Sequence, residues 1–329
     1  MTQTNTEANL NILVYNTHLF GKDLISTISQ FVGSVIYYQD ELRNHIITQT
    51  IKDSDADIVG LVEVWNDGFA STMIDEVKDS YPYHYRGPHG NSYEVIGHGL
   101  LLLSKYPLSE KKFYEYKDLD GFDKFSRKGF LTAKAEIPNP KADKNPIRVR
   151  FFLTHTQAAS SDKSYEKKRQ ANIAQLTKTI EEYQTGKADN SDTDIPVFAF
   201  GDFNVIGEDE KTGQSTSEYN KTLDCFQKVG LFDFYRKLDD FEDAPGYTYF
   251  SDGLNQRNKL IPIFDKEGAK KKVHQRLDYI FYSQENSSIK VTPTESKIPT
   301  DYTYTDNNTQ EDMDLSDHEP LWGKFNLGT

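Results

Sequence analysis

The feature that most constrains this chain is a repeated pattern: a short, nearly continuous apolar run, the length of a buried strand, that stops at a polar side chain able to do chemistry. The stretch Ile195-Pro-Val-Phe198-Ala-Phe-Gly-Asp202-Phe-Asn204 is its fullest case. Side chains alternate along a strand, so Asp202 and Asn204 project to the same side. A carboxylate and a carboxamide held together at a strand end suit a phosphate, one orienting a water or a histidine, the other donating to a non-bridging oxygen. A strand running into an Asx-type turn accounts for the same letters, and the stretch alone leaves both readings open.

Other segments repeat it. Leu10-Asn-Ile-Leu-Val-Tyr15 reads as a first strand that delivers Asn16, Thr17 and His18. Apolar positions between 23 and 53 predict one or two helices. Asp57-Ile-Val-Gly-Leu-Val62 ends at Glu63, a carboxylate that either caps a following helix or binds a cation, with Trp65 beside it as packing. Residues 127–137 alternate as a partly exposed strand, on which Lys128 reads as a solvated edge lysine within reach of a phosphate. Val149-Arg-Phe-Phe-Leu-Thr154 leads to His155, which alone reads as a satisfied strand-end histidine.

Two amphipathic helices are predicted over 165–183 and 219–231. Arg276-Leu-Asp278-Tyr-Ile-Phe-Tyr282 is a strand in which Asp278 faces opposite its apolar neighbours. An acidic, Thr/Tyr-rich stretch over 291–314 precedes Ser316-Asp317-His318 and a last strand ending near Phe325. His84, His89 and His98 lack the spacing of a metal-binding helix and read as surface or loop residues.

Asn16, Glu63, His155, Asp202, Asn204, Asp278, Asp317 and His318 thus gather at strand ends or starts. Together they supply a hard-cation site, two histidines and carboxylates to orient them, which are the parts that metal-assisted phosphoester hydrolysis needs. Charge bears on the substrate: 51 acidic residues against 38 basic give −13, which disfavours a long footprint on nucleic acid. Cys225 is the only cysteine, so no intramolecular disulfide and no multi-cysteine metal site can form. Residues 1–9 are expected to be a flexible N-terminus. They show neither a basic segment nor an apolar run, and no long apolar stretch follows, so the chain reads as unexported unless a signal has been removed.

These residues in this order, with Leu-Val-Glu63-Val, Thr-His155-Thr-Gln, Gly-Asp202-Phe-Asn204, Leu-Asp278-Tyr-Ile-Phe and Ser-Asp317-His318-Glu-Pro, resemble the endonuclease/exonuclease/phosphatase superfamily over residues 10–325. The resemblance implies an α/β (α+β), DNase I-like fold, a four-layer sandwich of two packed mixed β-sheets flanked by helices, in one catalytic domain over 10–329. It also implies Mg²⁺-dependent phosphoester cleavage, with Mn²⁺ or Co²⁺ as substitutes.

The connecting segments, among them His98-Gly-Leu-Leu-Leu-Leu-Ser-Lys-Tyr-Pro107 and Asp123-Lys-Phe-Ser-Arg-Lys128-Gly-Phe130, are most similar to bacterial neutral sphingomyelinases. Residue by residue, that similarity implies Mg²⁺ ligation chiefly by Glu63, with Asn16 close by and Asp317 completing the acidic cluster. It assigns phosphate contact to Asn204 and His155, and makes His318 the general base, oriented by Asp202 or Asp278. The implied substrate is a choline phospholipid, split by a monomer into ceramide and phosphocholine. A nuclease, an inositol-phosphate phosphatase and a catalytically silent binding protein are the alternatives on the same fold. Exported members of that group present an aromatic-tipped hairpin to the bilayer between the positions of Asp278 and Asp317. Here that interval offers Tyr302 and Tyr304 among acidic residues, either at a headgroup interface or in an ordinary acidic loop.

Overall fold

A computed structural model describes residues 7–21, 39–88, 97–141, 143–158, 163–188, 192–239, 242, 244–250, 273–284 and 288–328. Residues 1–6 of the expected flexible N-terminus, the part of the expected helical stretch that precedes Gln39, and His89 lie outside these residues.

Two six-stranded mixed sheets carry the structure. The first has β1 (Glu7–Leu19), β2 (Ile58–Val64), β3 (Tyr83–Tyr85), β4 (Leu101–Ser104), β13 (Lys290–Lys297) and β16 (Leu321–Gly328), in the order β13-β16-β1-β2-β4-β3. The second has β5 (Leu108–Glu115), β6 (Gly129–Ile137), β7 (Ile147–His155), β8 (Val197–Asp202), β9 (Leu231–Asp233) and β12 (Asp278–Ser283), in the order β5-β6-β7-β8-β12-β9. Two small ribbons, β10 (Tyr249–Phe250) with β11 (His274–Gln275) and β14 (Thr303–Thr305) with β15 (Asp312–Asp314), lie outside the sheets.

Strand parity sorts the apolar residues into three cores. Leu10, Ile12 and Val14 of β1, Ile58 and Val62 of β2, Val149, Phe151 and Leu153 of β7, Phe198 and Phe200 of β8, and Ile280 and Tyr282 of β12 all pack between the sheets. Their odd-step neighbours face outward. Leu13, Tyr15, Val59 and Leu61 meet helices α1 (Asp40–Asp53) and α2 (Asp67–Val77). Phe152, Ala199, Tyr279 and Phe281 meet α3 (Lys163–Gln184) and α4 (Ser217–Gln227). The result is the expected helix–sheet–sheet–helix layering, in which each sheet is covered on both faces. A one-turn helix, α5 (Tyr235–Leu238), follows β9.

Several expectations shift. β1 begins at Glu7, paired with Gly328, three residues before Leu10. The strand carrying Thr132 and Ala133 is an interior one, paired on both sides and buried along most of its length. The helix expected to reach 231 stops at Gln227, because Gly230 takes a left-handed φ of 71° and Leu231 enters β9.

The sheets approach closely at one point. A Cβ on Gly60 would lie 2.4 Å from Cε2 of Phe200 and 2.8 Å from Cδ1 of Leu153. Gly60→Ala is therefore expected to overpack the inter-sheet core and lower stability by about 1–3 kcal/mol. Urea denaturation measures it, and an unchanged midpoint would mean that the sheets separate freely there.

Candidate active site

Continuing each inward-facing row by one step past its last apolar residue gives the site. Val14 is followed on that face by Asn16, Leu153 by His155 and Phe200 by Asp202, while Asp278 precedes Ile280. Register brings the second sheet's three into line, with His155 paired to Asp202 in the parallel β7–β8 ladder and Asp278 opposite Asp202 in the antiparallel β12–β8 ladder. The polar end of the inter-sheet core is thus built from both sheets.

Glu63 arrives by a different route. On parity it belongs with Val59 and Leu61 on the helix side, but its φ of 60° is left-handed and Val64 joins the helix-side core in its place. Its carboxylate accepts from Asn16 Nδ2 at 3.2 Å. Asn16 Nδ2 also donates to Asp202 Oδ2 at 3.0 Å, so one carboxamide spans two carboxylates. The helix-capping alternative falls to Asn66, whose side chain accepts from the Phe69 N–H at the start of α2.

His318 and Asp278 form the tightest pair, Nδ1 to Oδ2 at 2.8 Å, and His318 Nε2 lies 3.9 Å from Asp202 Oδ2. Burial alone would lower the imidazole pKa, but Asp278, Asp202 and Asp317 raise it to about 10. Asp202 is pushed up to about 7 by burial and by Asp278, with His318 opposing. Asp202 and the imidazole therefore hold protons more tightly in the folded protein than in the unfolded chain.

His155 behaves oppositely. Burial, Lys128 and His318 drive its pKa well below the ordinary histidine value, so its approaches of 3.6 Å to Asp202 and 3.7 Å to Glu63 are contacts of a neutral ring rather than ion pairs. Lys128 Nζ sits 3.1 Å from its Nε2 and donates to Asp123 Oδ2 and the Thr156 carbonyl. Lys128 is thus buried beside the site and not on a solvated edge. His98 is also buried, its Nδ1 accepting from Leu100 N–H, whereas His84 is exposed as expected.

Asp202 and Asn204 satisfy both readings of their motif. The Asn204 N–H donates to Asp202 Oδ1 at 2.8 Å in an Asx-type turn, and that same turn presents the pair at the site. Asn204 itself is left-handed, φ 51°. Asp317 pairs with His18, Nδ1 to Oδ1 at 3.3 Å, and His18 lies 3.6 Å from Glu63. Burial would raise the Asp317 pKa, but the His18 charge and hydrogen bond pull it far below the carboxylate range.

The reading of strand ends does not single out His18 or Asp123. His18 was signalled by standing two residues after Asn16; Asp123 had no such signal, since its role depends on Lys128. Trp65 is more than packing: its ring lies 6.0 Å from that of His155, and Nε1 reaches toward Glu63 Oε2 at 3.5 Å. Tyr304 is buried, and Tyr302 packs edge-on to Tyr15 with ring centroids 5.9 Å apart, so neither tyrosine forms an exposed aromatic tip.

A hard cation fits these donors. Among the described residues, Glu63, His155 and Asp202 bring ligand atoms within 4.8 Å of one another, as do Asp202, Asp278 and His318; neither group includes Asp317. Asp278 Oδ1 is buried with no hydrogen-bond partner, as is His155 Nδ1. Clustered carboxylate oxygens, one of them unsatisfied and one with a raised pKa, are the environment that a divalent ion relieves.

Because the folded His318 pKa lies above its unfolded value of about 6.5, its pairing stabilises the metal-free protein fully below that pH. The contribution is lost as pH rises through about 10. Asp278→Asn is expected to bring the His318 titration down by several units in chelator, read by imidazole NMR. It should also flatten the pH dependence of thermal stability over that window. An unmoved titration would detach Asp278 from this role.

Residues 36–318 match the family model described as Endonuclease/Exonuclease/phosphatase family. The chain is similar to a phospholipase C of Staphylococcus aureus, 25% identical over 322 residues that cover 91% of this chain and 85% of that protein. It is also similar to the sphingomyelinase C 2 of Leptospira interrogans, 25% identical over 81% of this chain and 39% of that longer protein. A solved structure of a Staphylococcus aureus beta toxin variant with bound magnesium ions shares the fold, with a TM-score of 0.62 and 21% identity over 96% of this chain and 99% of that one.

Proposed function

The chain belongs to the endonuclease/exonuclease/phosphatase family, and from that premise we propose that it is a divalent-metal-dependent phosphodiesterase of the sphingomyelinase type, releasing phosphocholine from a choline phospholipid. The observation that carries this reading is the convergence of Asn16, Glu63, His155, Asp202, Asp278 and His318 at one end of the inter-sheet core, with His318 held by Asp278 at 2.8 Å. The likeness to a phospholipase C and a sphingomyelinase C over most of the chain supports the lipid class, and the net charge of −13 suits a zwitterionic headgroup better than a polyanion. The site draws on both sheets, which supports treating 10–329 as one catalytic domain.

Glu63, with Asp202 and His155 at ligand distance, would hold the ion, Mg²⁺ by preference for oxygen donors. When bound, the cation supplies positive charge that offsets the phosphate and the carboxylates around it. His318 then gives up its proton more readily, and its Nε2, free of the Asp278 bond on the other nitrogen, takes a proton from water. Asp278 fixes the ring and its tautomer. Asn204 and His155 line the phosphate side. The water oxygen forms a new bond to phosphorus, the bond from phosphorus to the lipid alcohol oxygen breaks, and the alcohol leaves with a proton drawn from solvent, to which His318 returns the one it accepted. Asp317 acts through His18, holding it against Glu63.

His318→Ala is expected to lower turnover by at least ~10²-fold. Phosphocholine release from sphingomyelin in mixed micelles measures it, with EDTA and plasmid DNA run in parallel. DNA cutting without phosphocholine release would transfer the site to a nuclease. Glu63→Gln should raise the Mg²⁺ concentration needed for half-maximal rate by about tenfold or more, as lost ligands do; an unchanged metal titration would remove Glu63 as a ligand.

A further inference from the structure

Among the described residues five large apolar side chains are exposed, and two of them, Phe122 at 36% and Phe125 at 48%, share the single 3₁₀ turn Gly121–Phe125. Their ring centroids are 6.2 Å apart, so they form one patch. The turn is tied down. Asp120 caps it by accepting from Gly121 N–H, and Ser126 Oγ returns to the Asp123 carbonyl at 2.8 Å. Asp123, which stands between the two phenylalanines in sequence, accepts from Lys128 Nζ, Gln157 Nε2 and the Ala158 N–H at 3.0, 2.9 and 2.7 Å. Lys128 continues to His155 at 3.1 Å. The aromatic patch is therefore one short chain of polar contacts away from the candidate site.

Its electrostatic surroundings differ from the rest of the molecule. Residues 115–128 carry four acidic and four basic side chains in a chain of net charge −13. Three ion pairs close within this segment, Lys124 with Asp120 at 2.8 Å, Arg127 with Glu115 at 2.9 Å and the buried Lys128 with Asp123 at 3.0 Å. A neutral, mutually paired rim around two exposed aromatic rings is complementary to a zwitterionic lipid surface, which presents ammonium and phosphate in equal number. Aromatic rings partition favourably at such an interface, and a pre-ordered turn loses little entropy on docking. The β14–β15 hairpin offers no equivalent, since Tyr304 is buried and the connection between its strands is closed by Asp306 accepting from Asn308 N–H and Thr309 Oγ1.

We propose that Phe122 and Phe125 are the element by which this protein docks on a phosphocholine bilayer, beside the site that cleaves the headgroup. This rests on the phospholipid reading above for its purpose but not for its test. Flotation of the intact protein with phosphatidylcholine/sphingomyelin vesicles in EDTA reads binding without turnover. Wild type is expected to float with the vesicles, and the double variant Phe122→Ser/Phe125→Ser to bind at least about tenfold more weakly, given the transfer free energy of two aromatic side chains. The variant should keep its rate on a water-soluble ester, 4-nitrophenylphosphocholine, without lipid. A second variant, Phe125→Trp, gives a folded reporter: its added fluorescence, over the Trp65 and Trp322 background, should shift to the blue and be quenched by bromolipid. Equal vesicle binding by wild type and the double variant, no binding by wild type, or an unquenched tryptophan would each overturn the proposal. Loss of all phosphocholine release by wild type, with vesicle binding intact, would overturn the proposed function and leave this docking surface standing.

Discussion

Everything in this structure depends on the parity of five strands. Because β1, β2, β7, β8 and β12 each turn alternate residues toward the same inter-sheet core, the next residue on that face of β1, β7 and β8 has no apolar partner to meet. That position must be polar, and in the same layer as its neighbours. Sliding β7 or β12 by a single residue would send His155 or Asp278 to the helix side and put Thr154 or Tyr279 in its place. The apolar core therefore acts as the ruler that sets the spacing of the site, and Gly60 sets the distance between the two halves of that ruler by letting Phe200 come close.

Such a cluster of buried charge is costly unless its members satisfy one another. Most do: His318 with Asp278, His18 with Asp317, Lys128 with Asp123, and Asn16 across Glu63 and Asp202. Behind them Arg43 on α1, fully buried, donates to the carbonyls of Thr17, His18 and Leu315 and to Asp40. It binds the end of β1 to the segment that leads into His318. What stays unbalanced is Asp202, which faces Asp278 across the ladder and is pushed up by burial and by that neighbour, and the second oxygen of Asp278, which has no hydrogen-bond partner.

The sequence made the strand ends legible because both signals there are local: an unbroken apolar run fixes burial, and the residue type that stops it announces chemistry. The sandwich was implied by the resemblance to the endonuclease/exonuclease/phosphatase superfamily that these motifs carry, not by the runs alone. Edge strands were less legible. β5 and β13 alternate weakly and carry exposed lysines and glutamates, so their pairing is decided by neighbours far away in sequence and not by their own pattern. The burial of Lys128 and His98 was hidden for the same reason, since it comes from Asp123, His155 and Phe113, which reach them only through the tertiary fold. Tyr304 was left between a headgroup interface and an ordinary acidic loop, and β14 turns it into the helix-side core.

Among the described residues six non-glycine residues have left-handed backbone, and three of them stand at the polar ends of site strands, whereas Gln39, Glu110 and Gln310 lie elsewhere. His18, Glu63 and Asn204 all have φ between 49° and 60°, which costs a non-glycine residue of the order of 1–2 kcal/mol. Each stands just after a strand has delivered its last apolar residue inward. A strand continuing in step would place Glu63 among Val59 and Leu61 on the helix side; the left-handed residue reverses that and returns a carboxylate to Asn16 and His155. Glycine would relieve the backbone at all three positions and remove the side chain for which the turn exists. At Glu63 the left-handed backbone brings a carboxylate into one layer with Asn16 and His155, which plain alternation already supplies.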